Sequence, residues 1–415
     1  MRVRIHRGAS EVGGTCVELE AADERIVLDL GLPLDAASSK DAALPSIPGL
    51  GTPGDGSLLG VVLSHPHQDH FGLLAKADSS VAIYAGKAAT AILDAATFFA
   101  LSGLQLTSAG HLEDRVPFTL GPFTITPYLV DHSAFDSYAL LVEASGRRLF
   151  YSGDFRAHGR KASLVRKLVA NPPADVDVLL LEGTRVRVDD RDPVGLDERA
   201  VELAMAKTFG STRGLAVVFS ASQNIDRLVS IYRACVRAGL TLVMDLYTAT
   251  IAAATERTTI PHPGFPGLRV YVPDRQRILV KRSGEFERVN QLRRHRIFRE
   301  EIRERSAELV VLIQSSTLPE LARADCLEGA TAVWSLWPGY LDQPSRRRTR
   351  QLLESLDMPL HHIHASGHAR VEDLRALADA MSPARVVPIH TSAPEQFAGL
   401  FDHVELHRNG EWWDA

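Results

Sequence analysis

His65-Pro66-His67-Gln68-Asp69-His70 is the most informative stretch of the chain. It directly follows Gly60-Val61-Val62-Leu63-Ser64, a short apolar run of the kind that forms a buried strand. Two histidines two apart at the end of such a strand point both imidazoles into one cleft. Asp69 and His70 then turn toward a neighbouring point about 3.5–4 Å away, the usual spacing of a two-metal site. Imidazole suits zinc, and a shared carboxylate suits a bridge between two ions. The competing reading is a histidine-rich surface loop, and the apolar run ahead of the string weighs against it.

Further donors also sit just past strand-like runs. His132 follows the run 123–130, in Val130-Asp131-His132-Ser133. Asp154 follows Phe150-Tyr151-Ser152-Gly153. Asp29 ends Ile26-Val27-Leu28 ahead of Gly31, where a carboxylate can hold a ligand histidine in its proper tautomer. Each is weak alone. Together and in order they form a consistent ligand set.

Composition is that of an average soluble globular protein. The chain has 415 residues, 45% hydrophobic and 23% charged, which excludes a disordered chain, a fibrous repeat and a disulfide miniprotein. No run approaches about 18 uncharged apolar residues, so no membrane span is expected. Met1 to Cys16 carries charges and no apolar core, unlike a secretory signal. Cys16, Cys235 and Cys326 are far apart and odd in number, which points to a reducing, cytoplasmic setting. The formal net charge is −5, so any binding of nucleic acid must rest on local patches.

The chain changes character near residue 190. Up to there it reads as mainly β, with strands at 123–130, 138–144, 148–151 and 176–181 and a helix at 87–102. Beyond it, strands at 215–219, 240–244, 308–313 and 331–336 alternate with helices, which predicts a parallel α/β domain. Asp192-Pro193 opens a helix over 195–209, and apolar spacing places another over 225–238, stopped by Gly239. An Arg-rich helix is expected at 345–356 and a last strand at 403–408.

The ordered set Asp29, His65-x-His67-x-Asp69-His70, His132 and Asp154 resembles the motifs of the metallo-β-lactamase superfamily. The motifs further along the chain resemble its nucleic-acid-processing β-CASP branch, ribonuclease J above all. Glu182 in Leu181-Glu182-Gly183-Thr184 matches the branch's first extra acidic motif, His368 in His364-Ala365-Ser366-Gly367-His368 the second, and His390 in Pro388-Ile389-His390-Thr391 the third. Gly183 stands where the branch more usually has serine.

The resemblance implies an α/β fold: an αββα metallo-β-lactamase sandwich formed by 1–190 and 356–415, with an α/β β-CASP domain, 191–355, inserted between. The active site would lie in the cleft where the two meet. His65, His67 and His132 would bind one zinc, Asp69, His70 and His390 a second, and Asp154 would bridge them. Asp29 would support a ligand from behind. His368 would contact the reacting phosphate, with Glu182 orienting it. Zinc is the default metal and manganese the alternative. The implied activity is hydrolysis of single-stranded RNA. The rivals are a DNA-directed nuclease of the same branch, a small-molecule metallohydrolase and a non-catalytic nucleic-acid-binding relative. Full-length ribonuclease J carries a further C-terminal domain that helps assembly. The chain's end at Ala415 therefore leaves monomer and homodimer both open.

Nucleic-acid contacts are expected in three further places. Phe219-Ser220-Ala221-Ser222-Gln223-Asn224 precedes the helix 225–238, and small hydroxyls with open N–H groups there make either an anion site or a plain helix cap. By resemblance, Ser220, Ser222 and Asn224 would bind a substrate phosphate with His364, Ser366 and His368. Residues 281–305 hold nine Lys/Arg against five Glu, and 346–350 add four arginines, a backbone-tracking patch or a solvated helix face. Phe286 and Phe298 are candidates either for base stacking or for core. Trp334 and Trp337 are expected between domains.

Overall fold

A computed structural model describes residues 1–36, 38–100, 106, 108–186 and 195–415. It separates into two units: residues 1–97, 101–190 and 367–415 in one, and 98–100 with 191–366 in the other.

The first unit is built on two sheets. One runs Trp412–Asp414, Arg2–Arg7, Cys16–Ala21, Glu24–Leu28, Leu58–Val62, Ile83–Gly86, Ser108–Leu112. The other runs Arg385–Ile389, Val178–Glu182, Arg147–Tyr151, Ser137–Ala144, Phe123–Val130, Phe118–Leu120. Their inner faces share one core, in which Val3, Leu19 and Leu28 of the first meet Phe123, Leu140 and Val178 of the second. The helices Ala162–Ala170 and Val371–Met381 cover the outer face of the second sheet through Val165, Leu168, Leu374 and Leu377. Leu93 of Lys87–Ala100 does the same for the first. This is a four-layer αββα sandwich.

Val178–Glu182 is buried along its whole length because it pairs in parallel on both edges, with Arg147–Tyr151 and Arg385–Ile389. A strand buried on both faces tolerates an unbroken apolar run. The strand expected at 403–408 does not form. Only an isolated bridge joins Val404 to Val386, Leu406 is 52% exposed, and the final strand is Trp412–Asp414 against Arg2–Arg7. Residues 101–102 of the helix expected at 87–102, and the opening pair Asp192-Pro193, lie outside the described residues.

The second unit is a six-stranded sheet, parallel throughout, in the order Leu268–Tyr271, Thr241–Asp245, Leu309–Ile313, Ala216–Phe219, Thr331–Trp334, Leu360–His362. The unit runs on to Ser366 because Leu360–His362 extends this sheet beside Thr331–Trp334. Glu198–Ser211 and Ile225–Ala238 cover one face, and Leu318–Arg323 and Arg347–Ser355 the other. Ile225–Ala238 ends where Gly239 takes the left-handed conformation, φ 71°, that glycine adopts without strain. Trp334 does not pack between domains. It is 1% exposed inside this unit's core, 5.7 Å from Phe219 between ring centroids.

Candidate metal centre

The first unit brings its chemistry-bearing side chains to one end of the sandwich. Asp29 follows Glu24–Leu28, His65 to His70 follow Leu58–Val62, and His132 follows Phe123–Val130. Asp154 follows Arg147–Tyr151, Glu182 ends Val178–Glu182, and His390 follows Arg385–Ile389. Asp29 and His390 are left-handed, φ 58° and 53°, so the chain turns sharply as each strand ends. Sites in α/β folds collect at the carboxyl ends of strands in this way.

Four groups in this region could each hold an ion: His65, His67 and His132; Asp69, His70 and His390; His65, His70 and Asp154; and Asp154, Glu182, His368 and His390. Asp154 joins two of them and is fully enclosed. Its Oδ2 lies 3.1 Å from His70 Nε2 and 3.7 Å from His65 Nε2, and its Oδ1 lies 3.7 Å from His390 Nδ1. His67 Nδ1 stands 3.1 Å from His132 Nε2, close to the separation of about 3.3 Å between two nitrogens on one tetrahedral zinc.

Most of these histidines are anchored from behind. Asp29 is completely buried, and its carboxylate accepts four hydrogen bonds of 2.7 Å: from the Ser64 amide, the Ser64 hydroxyl, His70 Nδ1 and the Tyr151 hydroxyl. Because Ser64 Oγ gives its hydrogen to Asp29, it accepts one from His65 Nδ1 at 3.0 Å. His132 Nδ1 donates to the Gly367 carbonyl at 2.6 Å, and His390 Nδ1 donates to Thr184 Oγ1 at 2.7 Å. So His65, His70, His132 and His390 each have Nδ1 tied down, which sets the tautomer and turns the Nε2 lone pair inward.

Electrostatics favour the ligating protonation states of these groups except His70. Burial, with neighbouring imidazoles, holds His65 and His132 well below the ordinary histidine range. Burial pushes His67 down to about 4. His70 is raised instead: burial opposes its protonation, but Asp154 and Asp29 outweigh it. Burial works against ionising Asp69 and Asp154, yet the surrounding histidines keep both carboxyls well below their usual range. Neutral imidazoles and ionised carboxylates are what a cation needs. The fit has a second mark. His65 Nε2, His70 Nε2 and both Asp154 oxygens are buried without a hydrogen-bond partner. Such atoms are costly unless something else binds them, and an ion at their meeting point would do so.

His368 lies at the rim, its side chain 22% exposed, with Nδ1 3.5 Å from Glu182 Oε2 and 3.6 Å from Asp154 Oδ2. Burial works against its protonation, but Glu182 and Asp154 raise it to about 9. Glu182 is itself fixed, accepting from the amides of Phe155, Thr184 and Ala369.

Residues 35–213 match the model of a beta-lactamase superfamily domain, and residues 356–401 that of a Zn-dependent metallo-hydrolase RNA specificity domain. The ribonuclease J of Helicobacter pylori (strain ATCC 700392 / 26695) is 22% identical over 97% of the chain. That of Sinorhizobium meliloti is 24% identical over 84% of it. The chain is similar to the metallo-β-lactamase superfamily, and within it to ribonuclease J-like β-CASP proteins. It spans 56% and 60% of the length of these two ribonucleases. The fold is shared with a protein of unknown function from Enterococcus faecalis V583, with a TM-score of 0.80 over 99% of both chains at 21% identity.

In this ribonuclease J-like frame, the other residues singled out in the sequence are dispersed. Asn224 caps its helix, accepting from the Arg227 amide at 2.9 Å. Ser222 Oγ accepts from Thr248 at 2.9 Å and from Gln314 at 2.8 Å. The buried Ser220 hydroxyl has no hydrogen-bond partner. His364 Nδ1 lies 3.3 Å from the guanidinium of Arg227, which is itself tied to Glu198 at 2.9 Å. Ser366 lies with these in the second unit, whereas His368 belongs to the first. Sequence reasoning missed Ser64, Tyr151, Thr184 and Gly367. Each sits inside or beside a quoted motif, and that adjacency was the only available signal.

Proposed function

We propose that the chain hydrolyses phosphodiester bonds of single-stranded RNA at a two-zinc centre, with manganese as the alternative metal. In this reading 1–190 and 367–415 form the metallo-β-lactamase domain and 191–366, eleven residues longer than the sequence suggested, the β-CASP insert. The observation that carries it is the pairing of His368 with Glu182 and Asp154 at the edge of the metal-ligand cluster. A lactone or lactam hydrolase needs the metal ligands but no such second histidine. The RNA specificity match at 356–401, which contains His368 and His390, supports RNA as substrate.

His65, His67 and His132 would hold one ion, Asp69, His70 and His390 the other, with Asp154 shared between them. When bound, such ions lower the pKa of a water and neutralise charge on the scissile phosphate. The protein's own part is positioning. Asp29 fixes His70 and, through Ser64, His65. His368 turns Nδ1 toward the two carboxylates, so Nε2 is the nitrogen turned away from them, suited to donate to a phosphate oxygen or the leaving oxygen. Glu182 sets that ring's orientation.

The test uses the purified chain with zinc or manganese. The substrate is a single-stranded RNA labelled at its 3′ end, in 5′-monophosphate and 5′-hydroxyl forms, with matched DNA alongside. Metal-dependent cleavage of RNA over DNA is the expected result. Equal cleavage of both would replace RNA by nucleic acid in general. No cleavage of either polymer with metal bound would refute the reading.

A further inference from the structure

The second unit carries a surface that this chemistry does not use. From Asp274 to Arg299 there are nine lysines and arginines against three acidic residues, in a chain whose net charge is −5. The stretch is not one amphipathic helix. It breaks into Asp274–Ser283, Glu287–Asn290 and Arg299–Glu304, with Gly284 at φ 76° ending the first. Phe286 and Phe298, which a continuous helix would turn into the core, are each 54% exposed.

Phe298 borders two concavities. One, of about 230 Å³, is lined by Arg277, Arg296, Arg299 and Glu300 among others. The other, of about 450 Å³, is lined by Val289, Asn290, Arg293 and Arg296. The Arg296 guanidinium stands 4.7 Å from the Phe298 ring centroid. Two of the lining arginines are already engaged: Arg299 with Asp274 at 2.9 Å and Glu320 at 3.7 Å, and Arg277 with Asp274 at 3.4 Å. Among the described residues, Arg293, Arg294 and Arg296 have no carboxylate within ion-pair distance.

An exposed ring among unpaired arginines fits a ligand that offers flat π faces and regularly spaced anions together. An acidic protein supplies the anions but gives the ring no role. We propose that Phe298, Arg293 and Arg296 form a binding site for single-stranded RNA, one base stacking on Phe298 and neighbouring phosphates lying on the two arginines. This rests on the reading of RNA as the substrate class.

The experiment measures fluorescence anisotropy of a hydrolysis-resistant phosphorothioate RNA 12-mer with the zinc-loaded full chain. Phe298→Ala should weaken binding about 5- to 150-fold, the range expected from losing one stacked base. Phe298→Trp should preserve it. A 12-mer of abasic sites should bind the wild type as weakly as the ordinary 12-mer binds Phe298→Ala. Arg293→Ala and Arg296→Ala should each lower the slope of log affinity against log salt by about 0.7. Turnover of bis(p-nitrophenyl) phosphate should be unchanged throughout, because none of these residues belongs to the metal centre. Unchanged RNA affinity in Phe298→Ala, with RNA cleavage intact, overturns this site and leaves the nuclease reading standing. Variants that leave RNA binding alone but shift the sedimenting mass make the patch a protein contact and also overturn it. A wild type that cleaves neither RNA nor the small diester removes the nuclease reading, whatever the binding data show.

Discussion

Asp29→Asn tests the centre where its design is most legible, since the change is isosteric and touches no proposed ligand atom. The carboxylate takes four hydrogen bonds, and an amide can take only those that meet its oxygen. If that oxygen faces His70, the bonds from Ser64 Oγ, His70 Nδ1 and Tyr151 persist on a neutral acceptor. The NH2 group then meets the Ser64 amide. Each surviving bond falls from about 1.5–3 to about 1 kcal/mol, and one buried donor left unpaired costs about 1–3 kcal/mol. A loss of about 3–9 kcal/mol in stability is expected, read from chemical denaturation. The loosened His70 should also lower metal affinity by about 10- to 100-fold, or about 1.4–2.7 kcal/mol. Competition with a chromophoric zinc chelator measures it, and excess zinc should restore part of the cleavage activity. Metal affinity within about twofold of wild type would show that Asp29 does not hold the ligand histidine, and the account of the anchored Nδ1 atoms would fail with it.

The same geometry carries other expectations. His67→Ala or Asp69→Ala should abolish cleavage while circular dichroism stays close to wild type; a purified variant with full activity would refute the ligand assignment. Chelation of metal from the wild type should lower its unfolding midpoint, since an ion present at 100 times its Kd stabilises by about 2.7 kcal/mol; a midpoint indifferent to metal would argue against a site in the folded chain. His368→Ala should cut kcat by about 10²- to 10⁴-fold at unchanged metal content, and equal loss of both would make the residue structural. Gly31→Ala should cost both metal and activity, because a Cβ there would lie 1.8 Å from the Asp69 carbonyl oxygen and must displace the ligand loop; retained zinc stoichiometry would contradict this. Glu18, buried against His6 at 2.8 Å and Arg25 at 3.1 Å, gives a pH test. Burial raises its pKa, but His6 and Arg25 with Arg4 more than reverse this, so the folded value is depressed. The stabilisation is therefore present above the ordinary carboxylate pKa and is lost as pH falls through the depressed one. Glu18→Gln should destabilise by about 3 kcal/mol near neutrality, the difference shrinking in acid; a pH-independent difference would refute the pairing.

The sequence alone determined whatever acts over a few residues. The His65–His70 ligands are legible because a strand end and a two-residue spacing fix their common direction. The helix Ile225–Ala238 is legible because apolar spacing, the Asn224 cap and Gly239 all act within a turn of its ends. The strands of both units appear as apolar runs for the same reason, whereas 403–408 misleads because no neighbouring strand takes it up beyond Val404. Tertiary structure alone decided what holds those ligands. Tyr151 reaches Asp29, Gly367 reaches His132 and Thr184 reaches His390 only because sheet order brings distant segments together, as when Arg385–Ile389 pairs with Val178–Glu182. It also decided that Trp334 is core and Phe298 is surface. Burial depends on what packs opposite a side chain, and local pattern does not contain that partner.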